Sequence, residues 1–248
     1  MSTTQAETYE LYYWPFLPGR GELIRLILED SGTPYIDVAR KPEEEGGGAS
    51  AVIAFCKGER EGHPIFAPPV LKVGDLVIAQ TANICRFLGE RLGLAPNDEV
   101  GRLYANQILL TIDDLIVEVH DTHHPLRKDL YYEEQREAAQ ERAQNFHQER
   151  LPRLLNYFER VLTYNKSYTL VGKETSYVDL MMFQMLLGLN YAFPKSFQQV
   201  AKEIPQLLKL RDTVAQRPRI NAYLKSPRRI PFNENGIFRH YPELDLKD

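Results

Sequence analysis

The chain has 248 residues, enough for one large domain or two of ordinary size. Apolar residues make up 43% and charged residues 26%, a composition typical of a folded protein and not of a disordered one. The 30 basic and 34 acidic residues are interspersed and give a net charge of −4, so no segment is basic enough to predict a nucleic-acid partner.

The sequence predicts neither a targeting signal nor a membrane segment. Its first ten residues lack a basic patch followed by an apolar run, so no secretory signal is expected. No stretch approaches the roughly 18 consecutive apolar residues of a membrane span. The two cysteines, Cys56 and Cys85, exclude a disulfide scaffold and fit a reducing compartment. We therefore expect a cytoplasmic protein.

The first third of the chain alternates strand and helix patterns. Residues 9–13 and 35–38 read as short strands that flank an apolar helix over 21–30. The acidic, glycine-rich tract 41–49 predicts a mobile surface loop. A hairpin over 70–78 follows, with its turn at Gly74-Asp75, and then a helix over 80–92. This order packs as a small α/β layer.

Beyond Pro96 the pattern is helical and is interrupted by prolines. The predicted helices cover residues 99–120, 132–163, 176–190, 204–216 and 220–225. The composition shift at 93–97 marks the expected domain boundary. We expect one domain at 1–94, a linker with the start of the first long helix at 95–105, and an all-helical domain at 106–248.

Three local motifs carry a family resemblance. They are YWP at 13–15 with RGELIR at 20–25, PPVL at 68–71 followed by QT at 80–81, and SYVD at 176–179. In this order and at these separations they resemble the cytosolic glutathione transferases of the tyrosine type, which comprise the pi, mu and sigma classes. The resemblance covers almost the whole chain and includes the segment 205–227.

The resemblance implies an α/β thioredoxin-like N-terminal domain followed by an all-α C-terminal domain. It also implies a homodimeric detoxification enzyme, a glutathione S-transferase, that uses glutathione as co-substrate and joins its thiolate to hydrophobic electrophiles.

A free thiol titrates at about 8.5, so only a small fraction is ionised near neutral pH. A hydroxyl that donates a hydrogen bond to the sulfur favours the thiolate, and a tyrosine remains a donor at pH 7.

The catalytic tyrosine is predicted to be Tyr13. Strand alternation places Tyr9, Leu11 and Tyr13 on one face and Tyr12 on the other. In the resembled family the tyrosine ends the strand and precedes an aromatic residue, and this matches Tyr13. Several glutathione-binding residues are carried over by the resemblance: Arg20, Lys57, Pro68, Pro69, Gln80, Thr81 and Asp114.

Each of these carries a specific expectation. Pro69 matches a cis-proline whose preceding residue pairs with the cysteinyl backbone of glutathione; Pro68 has no N–H, so only its carbonyl can take part. Gln80 and Thr81 are expected to begin a helix whose free N–H groups face the γ-glutamyl carboxylate, with Thr81 as N-cap. Asp114 matches a residue that reaches the γ-glutamyl ammonium across the dimer, and Lys57 is expected at the glycyl carboxylate.

The resemblance also suggests an electrophile pocket lined by Trp14, His120, His124, Phe232 and Phe238. A metal site at His120 and His124 is not expected, because the sequence offers no third ligand with a base and Pro125 ends the helix. Ser176 and Asp179 fit a structural capping box.

Two alternative functions remain open from the sequence. The first is a glutathione-binding member of the family with little turnover, which Pro68 and a loop between Tyr13 and Arg20 that is one residue longer than usual both permit. The second is a glutathione-dependent isomerase. Retention on glutathione without turnover of electrophiles distinguishes the first alternative from the transferase.

Overall fold

The computed structural model describes residues 7–60 and 62–246. The first six residues, part of the segment in which no secretory signal is expected, lie outside the described residues. The N-terminal part is built on four strands, β1 (Tyr9–Tyr12), β2 (Tyr35–Asp37), β3 (Val70–Val73) and β4 (Leu76–Ala79). Their spatial order is β2-β1-β3-β4, with β2 parallel to β1 and the other pairs antiparallel. The predicted strands are confirmed.

Helices cover both faces of this sheet. They are α1 (Gly19–Ser31), α2 (Gly48–Cys56) and α3 (Thr81–Arg91). Tyr9 and Leu11 belong to the large core that contains the apolar faces of α1 and α3. Tyr12 lies on the opposite face, in a smaller core with Val52 and Phe55 of α2. The predicted alternation along β1 is therefore confirmed.

The prediction for residues 41–49 was wrong in part. Glu43–Glu45 form a 3-10 turn, and Gly48 already begins α2. The helix has no side-chain cap and is held by burial of its apolar side against the small core. The glycines pointed to a loop because tertiary packing, which local propensity does not contain, decides the start of this helix.

The remainder of the described chain is mostly helical, as predicted. It contains α4 (Glu99–Asp121), α5 (Arg136–Asn145), α6 (Leu151–Asn165), α7 (Tyr177–Ala192), α8 (Pro194–Val200), α9 (Pro205–Ala215) and α10 (Pro218–Leu224). Helix α7 is the centre of this part, because nearly all of its residues are buried. The Ser176–Asp179 capping box at its start is confirmed, and the Asp179 carboxylate also accepts from the Leu170 N–H at 2.7 Å.

Two helical predictions need correction. The single helix expected over 132–163 is divided into a 3-10 turn at Tyr132–Glu134, α5, a π-helical turn at Phe146–Arg150, and α6. At the π turn, buried His147 directs its Nε2 to the carbonyl of Leu244, 2.7 Å away. Helix α8 was missed, because its N-terminus is capped by a distant carboxylate, that of Asp245. None of the described helices is both long and apolar enough to cross a membrane.

Candidate active site

Three strand ends meet at one edge of the sheet. Tyr12 of β1 lies opposite Val70 of β3, and Val70 lies opposite Ala79 of β4. Because both pairs are antiparallel, the next positions in the same row are Tyr13, Pro69 and Gln80. Residues from three of the predicted motif segments are thus brought together by strand register, although they are far apart in sequence.

Tyr13 lies directly after β1 with its ring packed on the first turn of α1. Its side chain is 6% exposed. The backbone N–H of Arg20 donates to the phenolic oxygen at 3.0 Å. Two glycines make room for the ring: a Cβ on Gly19 would lie 2.3 Å from the Tyr13 hydroxyl, and one on Gly21 would lie 2.6 Å from the ring. The loop and helix therefore fix the ring in a slot.

The electrostatics of this slot keep the phenol protonated. Burial raises the pKa of Tyr13 above its ordinary value, while the Arg20 N–H and the charges of Arg20 and Arg25 act in the opposite direction. The oxygen accepts from Arg20, and in the described part of the chain no acceptor is found for the phenolic O–H. Tyr13 therefore has an unused donor, which is the group that thiolate stabilisation needs.

Tyr12 is the alternative candidate for the catalytic tyrosine, but its contacts indicate a structural role. Its ring meets Phe55 edge-on at 4.8 Å, and its hydroxyl donates to Glu10 at 2.9 Å. The guanidinium of Arg60 lies 5.3 Å from the ring centre. Burial and the neighbouring Glu10 raise the pKa of Tyr12 to about 12. Its donor is already used within the protein.

The expected cis bond is present between Pro68 and Pro69. Across the strand pair, Gln80 has φ 71° and ψ 123°, a conformation that non-glycine residues adopt mainly where surrounding structure imposes it. Gln80 is the N-cap of α3, so the prediction that Thr81 caps the helix was wrong. Thr81 is 2% exposed, and its hydroxyl oxygen has no partner among the described residues.

The charged residues predicted to bind glutathione are Arg20, Asp114 and Lys57, and their surroundings differ. Arg20 pairs with Asp113 of α4, with Nη1 2.6 Å from Oδ1. Asp114, the next residue, points to solvent on α4, and Lys57 is exposed at the end of α2. Asp113 was missed because an acidic pair on a helix does not reveal which member faces a neighbouring element.

The proposed electrophile-pocket residues occupy two regions. Trp14 is half-buried on the α2 side of the sheet. Phe232 stacks on Tyr191 of α7 at 5.0 Å, and Phe238 is buried against Gly188. Phe232 is the more exposed of these two phenylalanines.

The histidines form a compact cluster at the end of α4. The ring centres of His120, His123 and His124 lie 4.7–5.2 Å apart. Burial lowers the pKa of His120 to about 4 and that of His123 to about 2, and it also lowers the pKa of His124. Over residues 7–60 and 62–246 no group of side chains is arranged to hold a metal ion.

Comparison with known proteins shows what the chain is similar to. The family described as "Glutathione S-transferase, C-terminal domain" matches residues 120–227. The chain is 29% identical over 234 residues to "Glutathione S-transferase P 2" of Bufo bufo, which spans 92% of this chain and 98% of that protein. It is 26% identical over 221 residues to the glutathione S-transferase of Plasmodium falciparum (isolate 3D7), with 86% and 93% covered. Over most of its length the chain is therefore similar to glutathione S-transferases.

Solved structures confirm the fold. The pi-class glutathione S-transferase of Onchocerca volvulus matches with a TM-score of 0.67 at 22% identity, over 88% of this chain and 92% of that chain. Prostaglandin synthase D of Nilaparvata lugens matches with a TM-score of 0.69 at 22% identity, over 90% and 100%. The expected architecture, a thioredoxin-like domain followed by an all-α domain, is confirmed.

Proposed function

We propose that this chain is a member of the glutathione S-transferase family that transfers the thiolate of glutathione to hydrophobic electrophiles, with Tyr13 as the group that stabilises the thiolate. The single observation that carries the proposal is the unused O–H of a buried, protonated Tyr13 at the edge where Pro69 and Gln80 also lie. Lowering the thiol pKa by two units requires about 2.7 kcal/mol, within reach of one well-placed hydrogen bond to a charged sulfur and nearby dipoles.

Substitution then follows ordinary thiol chemistry. The thiol proton leaves to solvent, and Tyr13 donates its hydrogen bond to the resulting sulfur anion. The sulfur lone pair forms the new carbon–sulfur bond while the leaving group departs with its bonding electrons. Tyr13 remains protonated throughout, since burial keeps its pKa high.

The glutathione backbone is proposed to lie along the same sheet edge. The carbonyl of Pro68 accepts from the cysteinyl N–H, in the manner of an added antiparallel strand. The free N–H groups at the start of α3 and the unpartnered hydroxyl of Thr81 face the γ-glutamyl carboxylate. Arg20, Lys57 and Asp114 are proposed to contribute charge to the two ends of the tripeptide.

The proposal extends to a cytoplasmic homodimer. Phe66, in the segment before the cis bond, is 91% exposed, and α4 presents Leu103 at 63% and Leu110 at 52%. Large apolar side chains at this exposure favour burial against a second copy of the chain. Asp114 lies on the same helix, consistent with its proposed reach into the partner's site.

The test is conjugation of a chloronitrobenzene acceptor. We expect Tyr13→Phe to lower kcat/KM by about tenfold or more with the fold intact, because one transition-state donor is removed. Tyr12→Phe is the matched control and should retain activity. If wild type binds immobilised glutathione but turns over none of a broad set of electrophiles, the binding function replaces the transferase. Equal activity of wild type and Tyr13→Phe contradicts the assigned role.

A further inference from the structure

The last part of the chain, residues 227–246 and here called the tail, returns to the first turn of α1. The guanidinium of Arg229 pairs with Glu22, a fully buried carboxylate in that turn. Its other amino group donates to Gln184 of α7 at 2.8 Å. Tyr223 of α10 donates to the same Glu22 carboxylate at 2.6 Å. The base of the tail is thus fixed by a buried polar network.

A second anchor lies a few residues further along the tail. Phe232 stacks on Tyr191 with an angle of 18° between the ring planes, and its edge meets Phe238 at 5.8 Å. Phe238 occupies the space that a side chain at Gly188 would need. The segment between Arg229 and Phe238 is therefore held at both ends, and this fixes the direction in which Asn233 points.

Asn233 uses both ends of its amide. Its Nδ2 donates to the carbonyl of Phe16 at 2.9 Å, and its Oδ1 accepts from the N–H of Asn235 at 3.0 Å. Phe16 lies in the loop that joins Tyr13 to α1. The long internal bond of this loop, 3.5 Å from Leu17 N–H to the Trp14 carbonyl, holds it weakly.

Elsewhere the described residues support this loop weakly: Arg25 Nη1 lies 3.5 Å from the Pro18 carbonyl at its end. Pro15 and Pro18 bring no N–H to it. In the part of the chain that the structure describes, no other side chain donates to a carbonyl of residues 14–17. The tail therefore supplies the polar contact that holds the loop carrying Tyr13.

We propose that Asn233 is a positioning residue: by holding the Phe16 carbonyl it sets the orientation of the Tyr13 hydroxyl toward the bound sulfur. The inference rests on the proposed function, since it concerns the same thiol. The Tyr13 ring occupies the space that a Cβ at Gly19 or Gly21 would need, and its backbone continues into the loop, so a shift of the loop changes the direction of its O–H. Misplacement of a catalytic group by about 1 Å can cost up to a hundredfold in rate.

The experiment compares two identical changes two residues apart. Asn233→Asp keeps the acceptor for Asn235 but places a carboxylate oxygen against the Phe16 carbonyl, which repels it. Asn235→Asp adds the same charge at an exposed side chain and is the control. The readouts are kcat and KM with a chloronitrobenzene acceptor, the pH titration of bound glutathione thiolate by ultraviolet absorbance, and the melting temperature.

We expect Asn233→Asp to lower kcat about fivefold to tenfold, with KM for glutathione within about twofold, because orientation of the donor and not binding is lost. The apparent pKa of the bound thiol should rise, and Asn235→Asp should match wild type in every readout. Asn233→Gln retains an amide donor and should recover part of the rate. If Asn233→Asp does not fold, the rate and thiol titration of Asn233→Gln test the positioning role of Asn233 instead.

Two results overturn the inference in distinguishable ways. If Asn233→Asp and Asn235→Asp give the same rate and the same thiol titration while Tyr13→Phe is impaired, Asn233 has no positioning role and the proposed function stands. If wild type neither ionises bound glutathione nor turns over an electrophile, the proposed function fails, and the inference fails with it.

Discussion

Gly21 leaves the space in which the Tyr13 ring lies, since a Cβ at this position would approach the ring to 2.6 Å. Such a contact is too short to persist, so either the ring or the first turn of α1 must move. The position of the phenol is therefore determined as much by an absent side chain as by any attractive contact.

Gly21→Ala should accordingly displace Tyr13. We expect kcat/KM for conjugation to fall by about tenfold or more, and the free energy of unfolding to fall by about 1–3 kcal/mol through overpacking. Steady-state kinetics and urea unfolding measure the two effects. Gly236→Ala is the matched control, because a Cβ there meets no atom within 4 Å. Full activity in Gly21→Ala would show that the Tyr13 ring can adopt another position without loss of function, which contradicts the prediction.

The Arg20–Asp113 pair gives a second prediction. The two side chains are 28% and 33% exposed, so water screens much of their attraction. Asp113→Asn should cost no more than about 1 kcal/mol of unfolding free energy and should raise KM for glutathione, because Arg20 loses the group that orients it. Asp114→Asn serves as control for stability, which it should leave unchanged. A KM unaffected by Asp113→Asn argues against a glutathione contact for Arg20.

The histidine cluster predicts loss of stability on mild acidification. Burial depresses the pKa of His120 to about 4 and of His123 to about 2, whereas an unfolded histidine titrates near 6.5. The unfolded state therefore binds protons first as the pH falls. Stability is full above about pH 6.5 and declines below it, by about 1.4 kcal/mol per pH unit at most for each such histidine.

Urea unfolding between pH 7.5 and pH 5 measures this decline. His123→Gln retains a donor for the Ile237 carbonyl, which His123 contacts at 2.9 Å, but cannot titrate, so it should flatten the pH dependence. His63→Gln alters an exposed histidine and should leave the dependence as in wild type. Equal slopes in the two variants contradict the prediction.

Phe66 provides the prediction for assembly. If a second copy of the chain covers this 91% exposed ring, Phe66→Asp should shift the protein from dimer to monomer in sedimentation velocity. Leu76→Asp is a control at another exposed apolar side chain, 43% exposed on β4, and should leave the mass unchanged. A wild type that sediments as a monomer at all concentrations rules out the proposed dimer.

Sequence patterns predicted the parts of the fold that depend on local periodicity. The alternation along β1 was enough to assign Tyr13 and Tyr12 to opposite faces of the sheet, because successive side chains of a strand point in opposite directions. The Ser176–Asp179 capping box was also predicted correctly, because both of its partners lie within one helical turn.

Features that depend on distant partners were not predicted. Helix α8 is capped by Asp245, and the π turn before α6 is tied to Leu244, so each requires knowledge of where the tail goes. The same holds at the site: the pairing of Arg20 with Asp113 and of Asn233 with Phe16 joins residues far apart in sequence. No periodicity encodes such contacts.

The bond between Glu22 and Arg229 also has a consequence for synthesis. A nascent chain emerges from the ribosome with its first helix long before residue 229 exists, so Glu22 cannot form this bond until residue 229 has been synthesised. A product cut short before residue 229 would lack Arg229 and would leave the Glu22 carboxylate with Arg25 and Tyr223 as its partners.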